Sequence, residues 1–206
     1  RHYWEWERSA AADPTFHVPL WIEPIEDPGP APPMDDAAVA AGIRRVINFA
    51  RALTIDFPDI SPEVMPAWVS SEVNQFDNSS YDASNTEIGY AAKDNAYLQT
   101  RYELEPDQAL VMRGRFPRCR FANVVLWNRR LQTPPYRYRR VSLNRRQVHY
   151  AADGSFEIVV AHRDPGVPNW IDPAGIREGM IFWRFLLPDE QTPPIEAEVV
   201  DVGSLG

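Results

Sequence analysis

The chain has 206 residues, 44% of them apolar, with seven Trp, a single Cys and a formal net charge of −8. That supplies core material for one large domain or two small ones, and one Cys excludes an internal disulfide. No apolar run reaches the roughly 18 residues of a membrane span, and an acidic chain lacks the net attractive field that phosphate binding needs, so neither a membrane nor a nucleic acid is expected as a partner.

Residues 1–34 read as an extended arm. Its run EPIEDPGPAPPM combines Pro with acid, and Pro removes backbone donors and stiffens the chain. The arm also carries Tyr3, Trp4, Trp6, Phe16, Leu20, Trp21 and Ile22. A solvated tail has no use for these side chains, so they are expected to anchor the arm on the body or on another chain, itself or a different one. The chain opens Arg1-His2-Tyr3-Trp4, with neither a start Met nor the apolar stretch of a signal peptide. It is expected to be a piece of a longer chain. The lone thiol fits a reducing compartment, so a cytoplasmic location is expected.

Residues 35–84 read as a helical segment followed by a loop. Asp35 or Asp36 can cap a helix over 36–56. Val39, Ile43, Val46, Ile47, Ala50 and Leu53 recur at three- and four-residue steps and make one apolar face. Phe57-Pro58 ends it. A short second helix is expected over Pro66–Phe76, and the polar run Asp77–Asn85 reads as a loop.

From residue 85 to 206 the pattern is that of strands. Seven runs have strand length: Ala96–Leu104, Ala109–Phe116, Phe121–Trp127, Tyr136–Leu143, Phe156–His162, Met180–Leu187 and Ile195–Val202. Turn signals such as Asp153-Gly154-Ser155 and Asp164-Pro165-Gly166 separate them. The expected fold is mainly β, an antiparallel sandwich or jelly roll, with the helical segment and the Pro-rich arm before it. Phe121–Trp127 and Met180–Leu187 are nearly continuous apolar runs and are placed as central strands.

Charge is unevenly spread. Residues 1–95 carry −10 and residues 96–206 carry +2. Eleven Arg and no Asp or Glu lie between Gln108 and Ala152. In strands, Arg118 with Arg120 and Arg137 with Arg139 would each share a face. Like charges side by side on a sheet destabilise it, so counter-charges are expected from the acidic front of the chain, from a partner or from a small anionic ligand. Arg118, Arg120, Arg137, Arg139, Arg163 and Trp170 are the candidate ligand-binding residues, because the guanidinium fork matches carboxylate and phosphate alike.

The strings RGRFPRCRFANVVLWNRRLQT, YRYRRVSLN, DGSFEIVVAHRDPGVPNW and FWRFLLPDE, taken in order, resemble the DUF1214 family of uncharacterised bacterial proteins over about residues 85–202. The resemblance implies a jelly-roll-like β domain at the C-terminus of a longer protein and implies no activity. Ala96 stands after Asn95 where the family usually has Pro.

Little in the chain has the spacing of a catalytic site. His2, His17, His149 and His162 do not pair at metal-ligand spacing, so no metal or other cofactor is expected. Cys119 lies between Arg118 and Arg120, but strand neighbours point to opposite faces, so it is expected to turn into the core. In the HRDPGVPNW string, His162 and Asp164 could form an acid–base pair beside Asn169 and Trp170. The alternative is structural: Asp164 caps the turn, Trp170 plugs the end of the sandwich and Asn169 bonds the loop backbone. Two functions follow. The first is a sandwich module that binds a small, possibly anionic molecule or packs against a partner chain. The second is an enzyme of unknown reaction, with its site at the open end around His162, Asn169 and Trp170.

Overall fold

A computed structural model of the protein describes residues 19, 21–56, 69–70, 72–77 and 95–205. Contacts divide the chain into two units, Arg1–Ala52 and Leu53–Gly206. Tyr3, Trp4, Trp6, Phe16 and Leu20, and all of the expected 77–85 loop except Asp77, lie outside the described residues.

In the first unit, residues 21–35 are irregular and exposed. The helix α1 spans Asp36–Thr54. Asp35 caps it: its carboxylate accepts from the Ala38 amide at 2.7 Å, and its carbonyl accepts from Val39 at 3.0 Å. The periodicity of Val39, Ile43, Val46 and Ile47 does produce a helix, but all four side chains are exposed, and no residue of α1 is buried.

The second unit is a two-layer sandwich, not a closed barrel. The strands are β1 (Asn95–Glu103), β2 (Gln108–Gly114), β3 (Phe121–Asn128), β4 (Ser142–Asn144), β5 (Phe156–Ala161), β6 (Trp170–Ile171), β7 (Glu178–Leu186) and β8 (Glu196–Asp201). One sheet runs β1-β7-β3-β4 and the other β6-β5-β2-β8. All pairs are antiparallel except β5 with β6. The two nearly continuous apolar runs, β3 and β7, are the central strands of the first sheet.

Alternation builds the core. From the first sheet Leu98, Val124, Leu126, Leu143, Ile181, Trp183 and Phe185 face inward, and from the second Leu110, Met112, Phe156, Ile158 and Val160 meet them. Phe116, Phe156, Trp183 and Phe185 stack in series at 4.8, 5.4 and 6.1 Å between ring centroids. Each fully buried Leu, Ile or Met here stabilises the fold by about 1.5–3 kcal/mol. A smaller cluster covers the outer face of the second sheet: Ala109, Val111, Val159 and Ala161 meet Val202. The short 3-10 turn Val202–Ser204 brings Val202 there, capped by Asp201, whose carboxylate accepts from Gly203. The Val202 amide donates to the Asp107 carbonyl at 2.8 Å.

Gly179 marks the tightest point. A Cβ there would collide with the Trp127 carbonyl and lie 2.8 Å from the Tyr102 ring. Tyr102 crosses over Gly179 and donates to the Ile176 carbonyl at 3.3 Å. Burial pushes its phenol pKa far up.

Three expectations are corrected. Residues 69–70 and 72–77 are not helical. Val69 bridges Gln99 in parallel, Ser70 donates to the Gln99 carbonyl, and Asn74 donates to the Arg101 carbonyl. The free edge of β1 captured these backbone donors. Of the expected strand Tyr136–Leu143 only Ser142 and Leu143 are strand. Pro134 and Pro135 cannot donate to a ladder, and Tyr136–Arg139 form turns instead, with Tyr138 donating to the Pro135 carbonyl. Cys119 lies in the β2–β3 connection, not in a strand. It packs against the core, as expected, but the guanidinium facing its sulfur, at 3.6 Å, is that of Arg145.

Candidate functional site

The arginines do not form one basic face. Arg113 stands on the outer face of the second sheet between Glu157 of β5, at 2.8 Å, and Glu198 of β8. These neighbours raise its pKa, the Glu198 hydrogen bond most. Arg115 pairs with Asp153 at 2.5 Å, Arg129 reaches Glu178 at 3.6 Å, and Arg139 bonds Asp172 at 2.7 Å. Each of these carboxylates lies between residues 153 and 198. Among the described residues, the counter-charge on Arg113, Arg115, Arg129 and Arg139 comes from the strands and turns that interleave with the Arg segment. Register explains it: β2 lies between β5 and β8, which puts Arg113 opposite Glu157 and Glu196.

The remaining candidate residues fall into three places. Arg118 and Arg120 are exposed on the β2–β3 connection. The Arg118 amide donates to Glu190 at 2.9 Å, while Arg145 grips the Cys119 and Arg120 carbonyls. Arg145 favours the thiolate of Cys119, yet burial outweighs it and raises the thiol pKa. A half-buried thiol of raised pKa is a poor nucleophile at neutral pH.

Arg137 and Arg139 lie beyond the far end of β3, on the β3–β4 loop, residues 129–141. The eight residues of β3 separate them from Arg118 and Arg120 by about 26 Å of strand. This loop is firmly built. Asn128 accepts from the Arg130 and Gln132 amides at 2.9 and 3.0 Å and holds Leu131 at a φ of 58°, which bulky residues rarely adopt. Pro134 is buried, Arg139 is tied to Asp172, and Arg140 donates to the Pro168 carbonyl at 3.2 Å. On this frame Tyr136 and Tyr138 are 66% and 87% exposed. Arg137 stands exposed between them, with no carboxylate partner among the described residues.

His162, Arg163, Asp164, Asn169 and Trp170 do not converge on one site. The His162 ring nitrogen Nε2 lies 3.1 Å from the Leu104 carbonyl, so it donates there. His162 and Arg163 line an open depression of about 420 Å³ with Pro106 and Asp107. Asp164 accepts from Gly166 in a tight turn. Asn169 is buried and fully spent: its Oδ1 accepts from the His149 amide at 2.7 Å, and its Nδ2 donates to the His149 and Glu157 carbonyls at 2.8 Å. The indole of Trp170 donates to the Ala161 carbonyl at 2.8 Å. Asn169 and Trp170 close the β5–β6 connection and have no polar atom left for a substrate. Among the described residues, no group of three His, Cys, Asp or Glu could hold a metal ion.

One residue escaped the sequence reading. Arg184 lies mid-strand in β7, on the outer face of the first sheet, and its guanidinium carbon lies over the Phe182 and Tyr97 rings at 5.2 and 5.7 Å. The signal was available as a lone cation inside the apolar string MIFWRFL, but its neighbours across the sheet are set by register alone.

No protein-family model matches the chain, and no curated protein matches it. Among solved structures it is similar to an uncharacterised protein from Burkholderia cenocepacia, with a TM-score of 0.67 and 26% identity over 85% of this chain and 47% of that one. A protein from Vibrio parahaemolyticus matches at a TM-score of 0.41 and 21% identity, over 51% of this chain and 31% of that one. The chain spans about half the length of the Burkholderia protein. Among the described residues no helix is long and apolar enough to cross a membrane.

Proposed function

We propose that this chain is a non-catalytic β-sandwich module that docks a second copy of itself through the β3–β4 loop. The carrying observation is the pair of exposed phenols, Tyr136 and Tyr138, flanking Arg137 on a loop fixed at both ends. Tyr and Arg on rigid backbone dominate binding energy at protein interfaces, since little conformational freedom is lost on contact. The complementary surface is the segment Trp21–Asp36 of the second copy. It carries Glu23, Glu26, Asp27, Asp35 and Asp36, and its Trp21, Ile22, Ile25 and Met34 are all at least 80% exposed.

An oligomeric state, membership of the DUF1214 family and a bacterial source belong to the same reading; the bacterial origin of the Burkholderia protein supports the last of these. A free, half-buried thiol fits a reducing compartment, so a cytoplasmic location belongs to it as well.

Light scattering tests the proposal. The wild type is expected to self-associate, and either Tyr138→Ala with Arg137→Ala or Trp21→Ala with Ile22→Ala is expected to return it to the monomer. A wild type that stays monomeric at high micromolar concentration overturns it.

A second reading is favoured by the depression at His162. There the His162 imidazole lines the depression with Asp107 and Arg163, and an imidazole is the commonest general base. It lacks a nucleophile, and Asn169 and Trp170 are otherwise engaged, so the module ranks first.

A further inference from the structure

The helix α1 turns an apolar face to solvent. At about 100° per residue, Val39, Ile43, Val46, Ile47, Phe49 and Ala50 share one arc of its surface. The five larger side chains are between 43% and 67% exposed, and no residue of α1 is buried. Helices in water draw most of their stability from packing such a face, so this one is built for a contact.

Two observations say what the contact is. The first is charge. Asp36 lies in the first turn of α1 and Arg51 in the last. They fall on the same flank of the apolar arc, about four turns apart. These ends suit the helix's own dipole, and they also make the face self-complementary. A second copy turned end for end sets its Arg51 beside Asp36 and its Asp36 beside Arg51. A parallel copy sets like charge against like, and flanking charges of this kind decide partner and orientation in helix pairs.

The second observation is Gly42. It stands in the interior of α1, where Gly is among the least favourable residues, and a Cβ there would meet nothing within 4 Å. No crowding inside the chain accounts for it. End-for-end pairing does. Gly42 and Phe49 share the flank of the arc away from Asp36, so the Phe49 ring of the second copy comes over the gap that the missing side chain leaves.

We infer that α1 pairs antiparallel with α1 of a second copy, the two apolar faces meeting about Gly42–Val46. The inference takes its partner from the self-association proposed above and rests on that reading to this extent. It adds a contact that the β3–β4 loop does not make, and the two contacts together hold the dimer. An anionic membrane is the other surface that suits an apolar face flanked by arginines. Glu23, Glu26, Asp27, Asp35 and Asp36, just before or at the start of α1, would be repelled by it.

Sedimentation equilibrium of the full chain, with thermal melting alongside, tests the inference. Gly42→Leu fills the gap and is expected to weaken the dimer about tenfold or more. The same change improves helix propensity and meets nothing in its own chain, so the monomer is expected to melt no lower than before. Asp36→Arg and Arg51→Asp are each expected to weaken the dimer, and the two together to restore it, the mark of a direct pair. A dimeric wild type whose affinity is unchanged by Gly42→Leu overturns the inference and leaves the loop reading standing. A dimer that survives the Arg137 and Tyr138 substitutions but is lost with Gly42→Leu overturns the loop reading and upholds this one. A charge swap that fails to restore the dimer overturns the antiparallel pairing. A monomeric wild type overturns it too, and pelleting of that monomer with phosphatidylserine vesicles would assign the face to a membrane.

Discussion

Asn169 shows how much of this fold rests on single polar side chains. It satisfies two carbonyls and one amide inside the β5–β6 connection. Asn169→Ala leaves those groups buried without partners, and a loss of about 3 kcal/mol is expected from the unmade bonds, measured by urea unfolding. A catalytic Asn would instead leave stability nearly unchanged on removal. Gly179 is the steric counterpart. Gly179→Ala drives a methyl into the Trp127 carbonyl and the Tyr102 ring, and about 1–3 kcal/mol of destabilisation is expected from such overpacking. Asp153 supplies a pH dependence. Its carboxyl is held below the ordinary value by hydrogen bonds from Ser155 and then by Arg115. A carboxyl depressed by folding stabilises above its unfolded pKa, near 4, and loses that contribution as pH falls through the lower folded value. Ser155→Ala is therefore expected to lower stability at neutral pH, where the carboxylate is charged, and to flatten the fall below about pH 4, where the two proteins converge.

The β3–β4 loop is the element whose form the residue pattern mislabelled. YRYRRVSL alternates like a strand, but two prolines precede it and Asp172 captures Arg139 from outside. Asp172 is buried and accepts from the Ala174 amide at 2.7 Å as well as from Arg139. Breaking a charge pair with one buried member leaves the loop without its tether. Asp172→Ala is expected to speed trypsin cleavage after Arg137, Arg139 or Arg140 several-fold, read by mass spectrometry of timed digests. Equal cleavage rates in the two proteins would show that the prolines alone hold the loop. The edge of β1 is a second element-scale lesson. An open strand edge takes whatever backbone is near, and Val69, Ser70 and Asn74 supply it in place of the expected helix.

At the scale of the whole molecule, the sandwich is built from distant pairings. β1 pairs with β7, and β2 with β8, across most of the second unit. Loop closure must precede such contacts, so refolding is expected in the slow range of two-state domains, about milliseconds to seconds. Stopped-flow fluorescence can follow it, because Trp183 is fully buried in the core. A dominant microsecond phase would contradict this topology.

The sequence by itself determined six of the strands, the centrality of β3 and β7 and the capped helix. These follow from local period, turn residues and apolar density, which are properties of neighbours in the chain. It also showed that the Arg-rich middle needs counter-charge. Only the tertiary structure decided where that charge comes from, because Glu157 and Glu198 reach Arg113 through strand order and register, which no local pattern encodes. The same holds for the row of Tyr97, Arg184 and Asn123: three residues far apart in the chain became neighbours through pairing.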